Sequence, residues 1–264
     1  MPNLVQDIPS EWQKSENYLD TSEDFVFRSP AVRPDKIKHI GTRTSEIELA
    51  LDLTEGYKIG VTGSDGKTTT STLIYNILSQ DKKCATLCGN IGKSALEVAE
   101  MSSADTYTVC ELSSFQLFDM KPKLDTAVIT NITQNHLDWH TDMNEYISAK
   151  RNILANAKTI VLDFDSETLR NIANDLFCKQ ITFFSSRPPT FSRENTHFVF
   201  ENEGTIYYDR EPIIPVCEIK LKGDFNIKNV KCAISVCAPI CSIDAIREQC
   251  RSFSGVSARM SEVA

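Results

Sequence analysis

No run of this chain approaches the roughly 18 uninterrupted apolar residues that a membrane-spanning helix requires. The opening stretch, MPNLVQDIPSEWQKSENYLD, is polar and acidic and lacks the features of a secretory leader. Basic side chains are in the minority: 28 Lys and Arg against 36 Asp and Glu leave a net charge of −8. An acidic surface repels phosphate backbones, which argues against bulk nucleic-acid binding, so any phosphate contact has to be local and made by specific residues. Internal repeats and low-complexity tracts are absent. Composition is ordinary, 41% hydrophobic and 24% charged, which excludes disorder and fibre repeats. The 264 residues suffice for one large α/β domain or two small ones. Even pairing of cysteines is also lacking. The nine are Cys84, Cys88, Cys110, Cys178, Cys217, Cys232, Cys237, Cys241 and Cys250, several of them inside apolar runs such as KCAISVCAPICSI. They read as buried free thiols in a reducing cytoplasm. A zinc site on the x3-spaced pairs Cys84/Cys88 and Cys237/Cys241 is the alternative, although neither pair has the flanking Gly or His of a knuckle.

What is present is an alternation. Residues 1–22 read as a weakly structured arm. DFVFRSPAV reads as a short strand entering a turn at Ser29-Pro30, and SEIELALDL as a helix from Ser45. From Tyr57, YKIGVTG, CATLCGNIG, TYTVCELSS, TAVITNIT and TIVLDFD read as strands. TTTSTLIYNILSQ and MNEYISAKRNILANA read as the helices between them. Such alternation predicts a parallel sheet with right-handed crossovers and ligands at the carboxyl ends of its strands. Residues 181–222 (ITFFSS, HFVFENEGTIYYD, PIIPVCEIKLKG) read as a small antiparallel patch. Two helices, NIKNVKCAISVCAPI and SIDAIREQCRSF, follow. The expected fold is α/β: a mostly parallel-sheet P-loop ATPase domain with that patch, preceded by a partial N-terminal α/β domain.

The polar motifs fall at strand ends. Gly63, Ser64, Asp65, Gly66, Lys67, Thr68 and Thr69 follow a strand and open a helix, the context a phosphate-binding loop requires. The glycines let the backbone curl, and the helix N-terminus adds partial positive charge. Lys67 would meet the β- and γ-phosphates, and the Thr68 hydroxyl a Mg²⁺ ion. The strict spacing would want glycine at Val61, so the match is to the variant TGxxGKTT. Glu111 ends the strand TYTVC, where a carboxylate can hold Mg²⁺, and Ser113 and Ser114 offer hydroxyls to a substrate. His136 follows the polar strand end Thr130-Asn131-Ile132-Thr133 on the same predicted sheet edge; a lone histidine is more often structural. Lys150, on a helix, reads from the residues alone as a solvated surface lysine.

GVTGSDGKTTT, GNIG, ELSSFQL, ITNITQNHLDWH, EYISAKRNI and GDFNIKNVKCA occur in the order and approximate spacing of the Mur ligases. The chain resembles that family over about residues 24–264, and ELSSFQL most resembles its D-glutamate-adding branch. The resemblance implies ATP-dependent amide ligation in peptidoglycan precursor synthesis, in the cytoplasm. A carboxylate of UDP-N-acetylmuramoyl-L-alanine would be phosphorylated by ATP, and the amine of D-glutamate would attack the acyl phosphate. It implies two Mg²⁺ ions, with Thr68, Glu111, His136 and a carbamylated Lys150 as ligands. It further implies Asn90 near the reacting groups, Asn226 and Asn229 at the nucleotide, and Arg259 as a hinge arginine reaching ATP.

Three departures accompany it. Phe225 and Ala258 stand where the family usually has histidine, and no glycine-rich first strand for UDP recognition precedes FVFRSPAVRPD and TSEIELA. The division implied is 1–55 as a remnant of a UDP-binding domain, 56–252 as the ATP-binding domain, and 253–264 as a hinge toward a C-terminal domain. That last domain would have to come from elsewhere, such as a separate chain. A fragment or shortened ligase is therefore expected. A non-catalytic nucleotide-binding relative and another ligase of the superfamily, such as a folylpolyglutamate synthase-like enzyme, remain alternatives.

Overall fold

The computed structural model describes residues 25–38, 42–134, 138–176, 179–190 and 194–256. The chain divides into two compact units, Met1–Glu46 and Ile47–Ala264. In the first, β1 (Phe25–Phe27) pairs in parallel with β2 (Thr42–Thr44). The turn after β1 closes through Val32 N–H to Ser29 O (3.0 Å), and Arg43 Nη1 donates to Pro34 O (2.9 Å).

The second unit begins within α1 (Glu46–Leu53), which buries Ile47, Ala50 and Leu51 at helical spacing. Then follow β3 (Tyr57–Thr62), α2 (Lys67–Gln80), β4 (Cys84–Gly89), α3 (Ala95–Met101), β5 (Thr106–Glu111), α4 (Ser114–Leu117), β6 (Thr126–Ile129) and α5 (Met143–Arg151). The remaining elements are β7 (Thr159–Asp163), α6 (Glu167–Asn174), β8 (Gln180–Phe184), β9 (Thr196–Asn202), β10 (Thr205–Tyr208), β11 (Glu211–Pro215), α7 (Asp224–Cys237) and α8 (Ile243–Ser252). Nine strands form one sheet in the order β11-β10-β9-β8-β7-β6-β3-β5-β4. Its central strands β3, β5, β6, β7 and β8 are buried on both faces, and alternate side chains serve two cores. Val109, Val128 and Val161 join α2, α7 and α8 on one side. Cys110, Ala127, Ile129, Ile160 and Leu162 join α1, α3 and α6 on the other.

The pairing corrects one boundary. ITFF (β8), read with the antiparallel patch, is parallel to β7, and β9 is parallel to β8. Among the described residues only β9–β10–β11 pair antiparallel, and they form one edge of the main sheet. The reason is a helix that the sequence reading passed over. α6, N-capped by Ser166, whose side chain accepts from Leu169 N–H, supplies the crossover that a parallel strand needs. The helix expected through MNEYISAKRNILANA ends at Arg151 and tightens into a 3₁₀ turn at Asn152–Leu154. Eight cysteines lie among the described residues and all are free. Cys88, Cys110, Cys232, Cys237 and Cys250 are buried, while Cys84 and Cys217 are exposed. No group of three His, Cys, Asp or Glu side chains that could hold a metal ion occurs among the described residues. No helix there is long and apolar enough to cross a membrane.

Candidate functional site: the loop between β3 and α2

β3 is flanked by β5 on one side and β6 on the other, so its carboxyl end opens at the point where the chain's crossovers diverge. Gly63 leaves the strand with φ +152, and a side chain there would fall on Thr130 Oγ1. Gly66 takes φ +76 as the N-cap of α2, and a Cβ would run into Asn229 Oδ1. No side chain caps α2 at Gly66, the condition in which a helix N-terminus accepts an anion.

The loop is clasped by the segment after β6. Ser64 N–H donates to Asn131 O (3.1 Å). Asn131 takes both polar groups of Asp65, accepting from its N–H (2.9 Å) and donating to its carbonyl (3.0 Å). Thr130 Oγ1 donates to the same carbonyl (2.7 Å). Ser64 Oγ donates to Thr133 O (3.0 Å) and accepts from Thr133 N–H (2.9 Å). Its single proton thus committed, it accepts from Tyr146 OH (2.9 Å).

Two cations and a carboxylate converge on this clasped loop. Lys67 Nζ donates to Gly63 O (3.0 Å) and Ser64 O (2.9 Å). Lys150 Nζ donates to the same Gly63 O (2.8 Å) and to Thr62 Oγ1 (3.4 Å), and lies 4.7 Å from the Tyr146 ring centre. Lys150 is 1% exposed, so it is not a solvated surface lysine. Burial first, and then the charge of Lys67, push its ammonium down to about 7, against a smaller opposing pull from Asp65. Burial also lowers Lys67, with Glu111 and Asp65 opposing. Glu111 Oε2 accepts from Thr68 Oγ1 (2.9 Å). Burial raises the Glu111 carboxyl, while Thr68, Lys67 and the Asn90 side chain pull the other way. Asn90 N–H also donates to Glu111 O (3.0 Å).

Thr68 and Glu111 offer a hydroxyl and a carboxylate oxygen side by side. That is the hard-oxygen set on which Mg²⁺ sits when phosphates and water complete its shell. A raised Glu111 carboxyl beside them fits, because a bound cation would repay its burial. Thr69 is half-buried in the first turn of α2. Asn229 is buried against Gly66 with its Nδ2 unpaired, whereas Asn226 Nδ2 turns back to Lys222 O (2.8 Å). Both serines of ELSSFQL are engaged within the protein. Ser113 caps α4 in a reciprocal capping box with Gln116, and Ser114 Oγ lies 2.9 Å from His140 Nε2. His136 and Arg259 lie outside the described residues. The reading from sequence missed Asn131, Thr130 and Thr133 as loop clamps, although it quoted their polar run. It also missed Tyr146, whose signal was its place one helical turn before Lys150.

A family model, the Mur ligase middle domain, matches residues 61–237, from the end of β3 through α7. The chain belongs to the Mur ligase family. It is 36% identical over 261 residues to the UDP-N-acetylmuramoylalanine--D-glutamate ligase of Clostridium tetani, covering 94% of this chain and 56% of that protein. The namesake of Bacillus pumilus is 39% identical over 223 residues, covering 82% and 48%. The chain thus spans about half the length of the curated relatives it matches. Among solved structures, a MurF ligase of Thermotoga maritima in complex with ADP superposes with TM-score 0.60 at 20% identity. It covers 88% of this chain and 57% of that one, and shows that the Mur ligase fold is shared.

Proposed function

We propose that this chain is the nucleotide-binding centre of an ATP-dependent ligase that joins D-glutamate to UDP-N-acetylmuramoyl-L-alanine through an acyl phosphate, in the cytoplasm. The observation that carries the reading is the shared Gly63 carbonyl. Around it Lys67, Lys150, Thr68 and Glu111 meet at the uncapped start of α2. The D-glutamate ligases among its relatives supply the choice of substrates.

The physical problem of the reaction is repulsion between the γ-phosphate and the substrate carboxylate. Lys67 and the N–H groups of α2 would neutralise the phosphates. Thr68 and Glu111 would hold Mg²⁺, with His136 a further ligand; the ion supplies charge neutralisation and orientation of the phosphates. Lys150 is largely uncharged just above neutrality and so is a nucleophile toward CO₂. The product, a carbamate formed with loss of one proton, turns a buried cation into an anion suited to a second Mg²⁺. Asn90 would orient groups beside Glu111. Asn226, Asn229 and Arg259 would contact the nucleotide, and Ser113 would face the substrate once released from its cap. In the same reading residues 1–55 end a UDP-binding domain, and 253–264 lead to a C-terminal domain supplied by the same or a separate chain.

The test is phosphate release from ATP in the presence of both UDP-N-acetylmuramoyl-L-alanine and D-glutamate, with ADP binding measured in parallel. Lys67→Ala should weaken ADP binding at least tenfold; unchanged affinity would refute the loop assignment. ADP binding without substrate-dependent release would favour a non-catalytic nucleotide-binding relative.

A further inference from the structure

The earlier parallel connections of the larger unit each carry a helix: α2, α3, α4, α5 and α6 in turn. The connection from β8 to β9, residues 185–195, carries none among the described residues. Residues 188–190 of this strap instead share with Phe198 and Phe200 a cavity of about 800 Å³, within the roughly 300–1,000 Å³ usual for ligand pockets. Phe198 and Phe200 belong to the core shared with α1, α3 and α6, on the face of the sheet away from α2 and α7. Thr196 and His197 place the cavity at the start of β9, whereas the phosphate loop leaves the far end of the parallel run. The cavity is therefore separate from the nucleotide loop.

One wall is apolar. Phe200 is half-buried and stacks on Tyr207 (5.7 Å, 13°), and Pro188 and Pro189 line the same space from the strap. The other wall is polar and sits at the turn between β10 and β11. Asp209 takes a left-handed conformation there (φ 52). Its N–H donates to Phe198 O (2.7 Å), and one carboxylate oxygen accepts from Phe198 N–H (2.8 Å). The other oxygen lies 2.7 Å from His197 Nδ1. A carboxylate only accepts, so Nδ1 carries the proton, and Nε2 of the neutral ring is left as an acceptor. Both Asp209 oxygens are thus spent inside the protein. Arg210, next in the turn, is exposed and makes no hydrogen bond or ion pair among the described residues. Backbone strain of this kind persists where the surroundings over-determine it; here it fixes Arg210 and the imidazole at the polar wall of an apolar cavity.

We propose that this cavity is a second binding site, for a small aromatic anion such as an arene carboxylate. The ring lies against Phe200 and the two prolines, and the carboxylate meets Arg210. The observation that carries the proposal is an unengaged guanidinium beside an apolar wall in one cavity. The chain as a whole is acidic, with a net charge of −8, so its overall field does not draw an anion here. Recognition falls to Arg210, whose planar fork matches a carboxylate. His197 Nε2 accepts from a hydroxyl on the ring.

The experiment uses two dyes that share a ring system and differ in charge: 1-anilinonaphthalene-8-sulfonate, an aromatic anion, and the neutral N-phenyl-1-naphthylamine. Each is titrated by fluorescence into the full chain, with a thermal melt of every variant. The anionic dye should fill one saturable site per chain and be displaced by 2-naphthoate but not by saturating ADP. Arg210→Gln should weaken the anionic dye about fivefold or more and leave the neutral dye unmoved. Phe200→Ala should weaken both. Thr190→Trp, at an exposed position of the strap, should block both, and decides the role of the apolar wall should Phe200→Ala fail to fold. Unchanged affinity of the anionic dye in Arg210→Gln, or an equal loss of the neutral dye, overturns the proposal. So does displacement by ADP, or dye binding that survives Thr190→Trp.

Discussion

Burial shifts the titration of both Lys150 and Glu111 away from their ordinary values, downward for the ammonium and upward for the carboxyl. A lysine whose ammonium falls to about 7 on folding binds fewer protons than the unfolded chain at every pH from about 7 up to its ordinary value. Its charge therefore costs stability most below 7, and the cost is relieved as pH rises, by up to about 1.4 kcal/mol per pH unit. In CO₂-free buffer, the unfolding free energy should climb between pH 7 and 8.5, and Lys150→Met should flatten that climb. Equal slopes in urea melts of the two proteins would count against the buried, uncharged amine. Glu111 carries the opposite sign. Burial raises its carboxyl despite three favourable partners, so its penalty is absent in acid, where both states are protonated, and appears as pH rises. Glu111→Gln should melt higher than the parent at pH 7.5, with the gap closing toward pH 4, and should lose the Mg²⁺-dependent gain in ADP affinity. A lower melting temperature at pH 7.5 would contradict the burial argument.

At the scale of elements, the loop's shape is imposed by its neighbour. Asn131 holds both backbone groups of Asp65, Thr130 holds the same Asp65 carbonyl, and Thr133 holds the preceding Ser64. Asn131→Ala should therefore weaken ADP binding roughly tenfold while costing only about 1–2 kcal/mol of stability, the usual size for such bonds. Calorimetry and urea melts on the same samples would separate the two effects. Undiminished ADP affinity would mean that the loop keeps its form unaided. This clasp also marks how far the sequence could be read. Strand, loop and helix around Gly63–Lys67 were legible because glycine placement and hydrophobic period are local properties. ITFF was assigned to the wrong pairing because parallel and antiparallel strands share one period, and only the intervening α6 distinguishes them. Lys150 looked like a surface lysine because nothing within its helix reveals what lies opposite; its burial depends on Gly63 and Thr62, far away in the chain. Ser113 and Ser114 were legible as hydroxyls at a strand end, but their partners Gln116 and His140 were not.

For the larger unit as a whole, the nine-stranded sheet leaves β11 as an edge that could pair with another molecule. Pro212 has no N–H to offer, and Arg247 of α8 caps the carbonyls of Ile213 (2.6 Å) and Pro212 (3.1 Å). Removing that cap should promote association: Arg247→Ala should sediment with a larger concentration-dependent fraction of dimer or higher species than the parent, and a monomeric profile throughout would show that the edge is protected by other means. The strand order has a further consequence, in time rather than in space. β3 sits in the middle of the parallel run, yet Ile59 must wait for Val109 on one side and Thr126 on the other. A ribosome that has released the whole phosphate loop has so far made neither partner of the strand that carries it. The hairpins β9–β10–β11, by contrast, can zip as they emerge. During synthesis the nucleotide loop thus stays a floppy tether until the Asn131 segment emerges, so nucleotide added to nascent chains should protect them from protease only once that segment has cleared the exit tunnel.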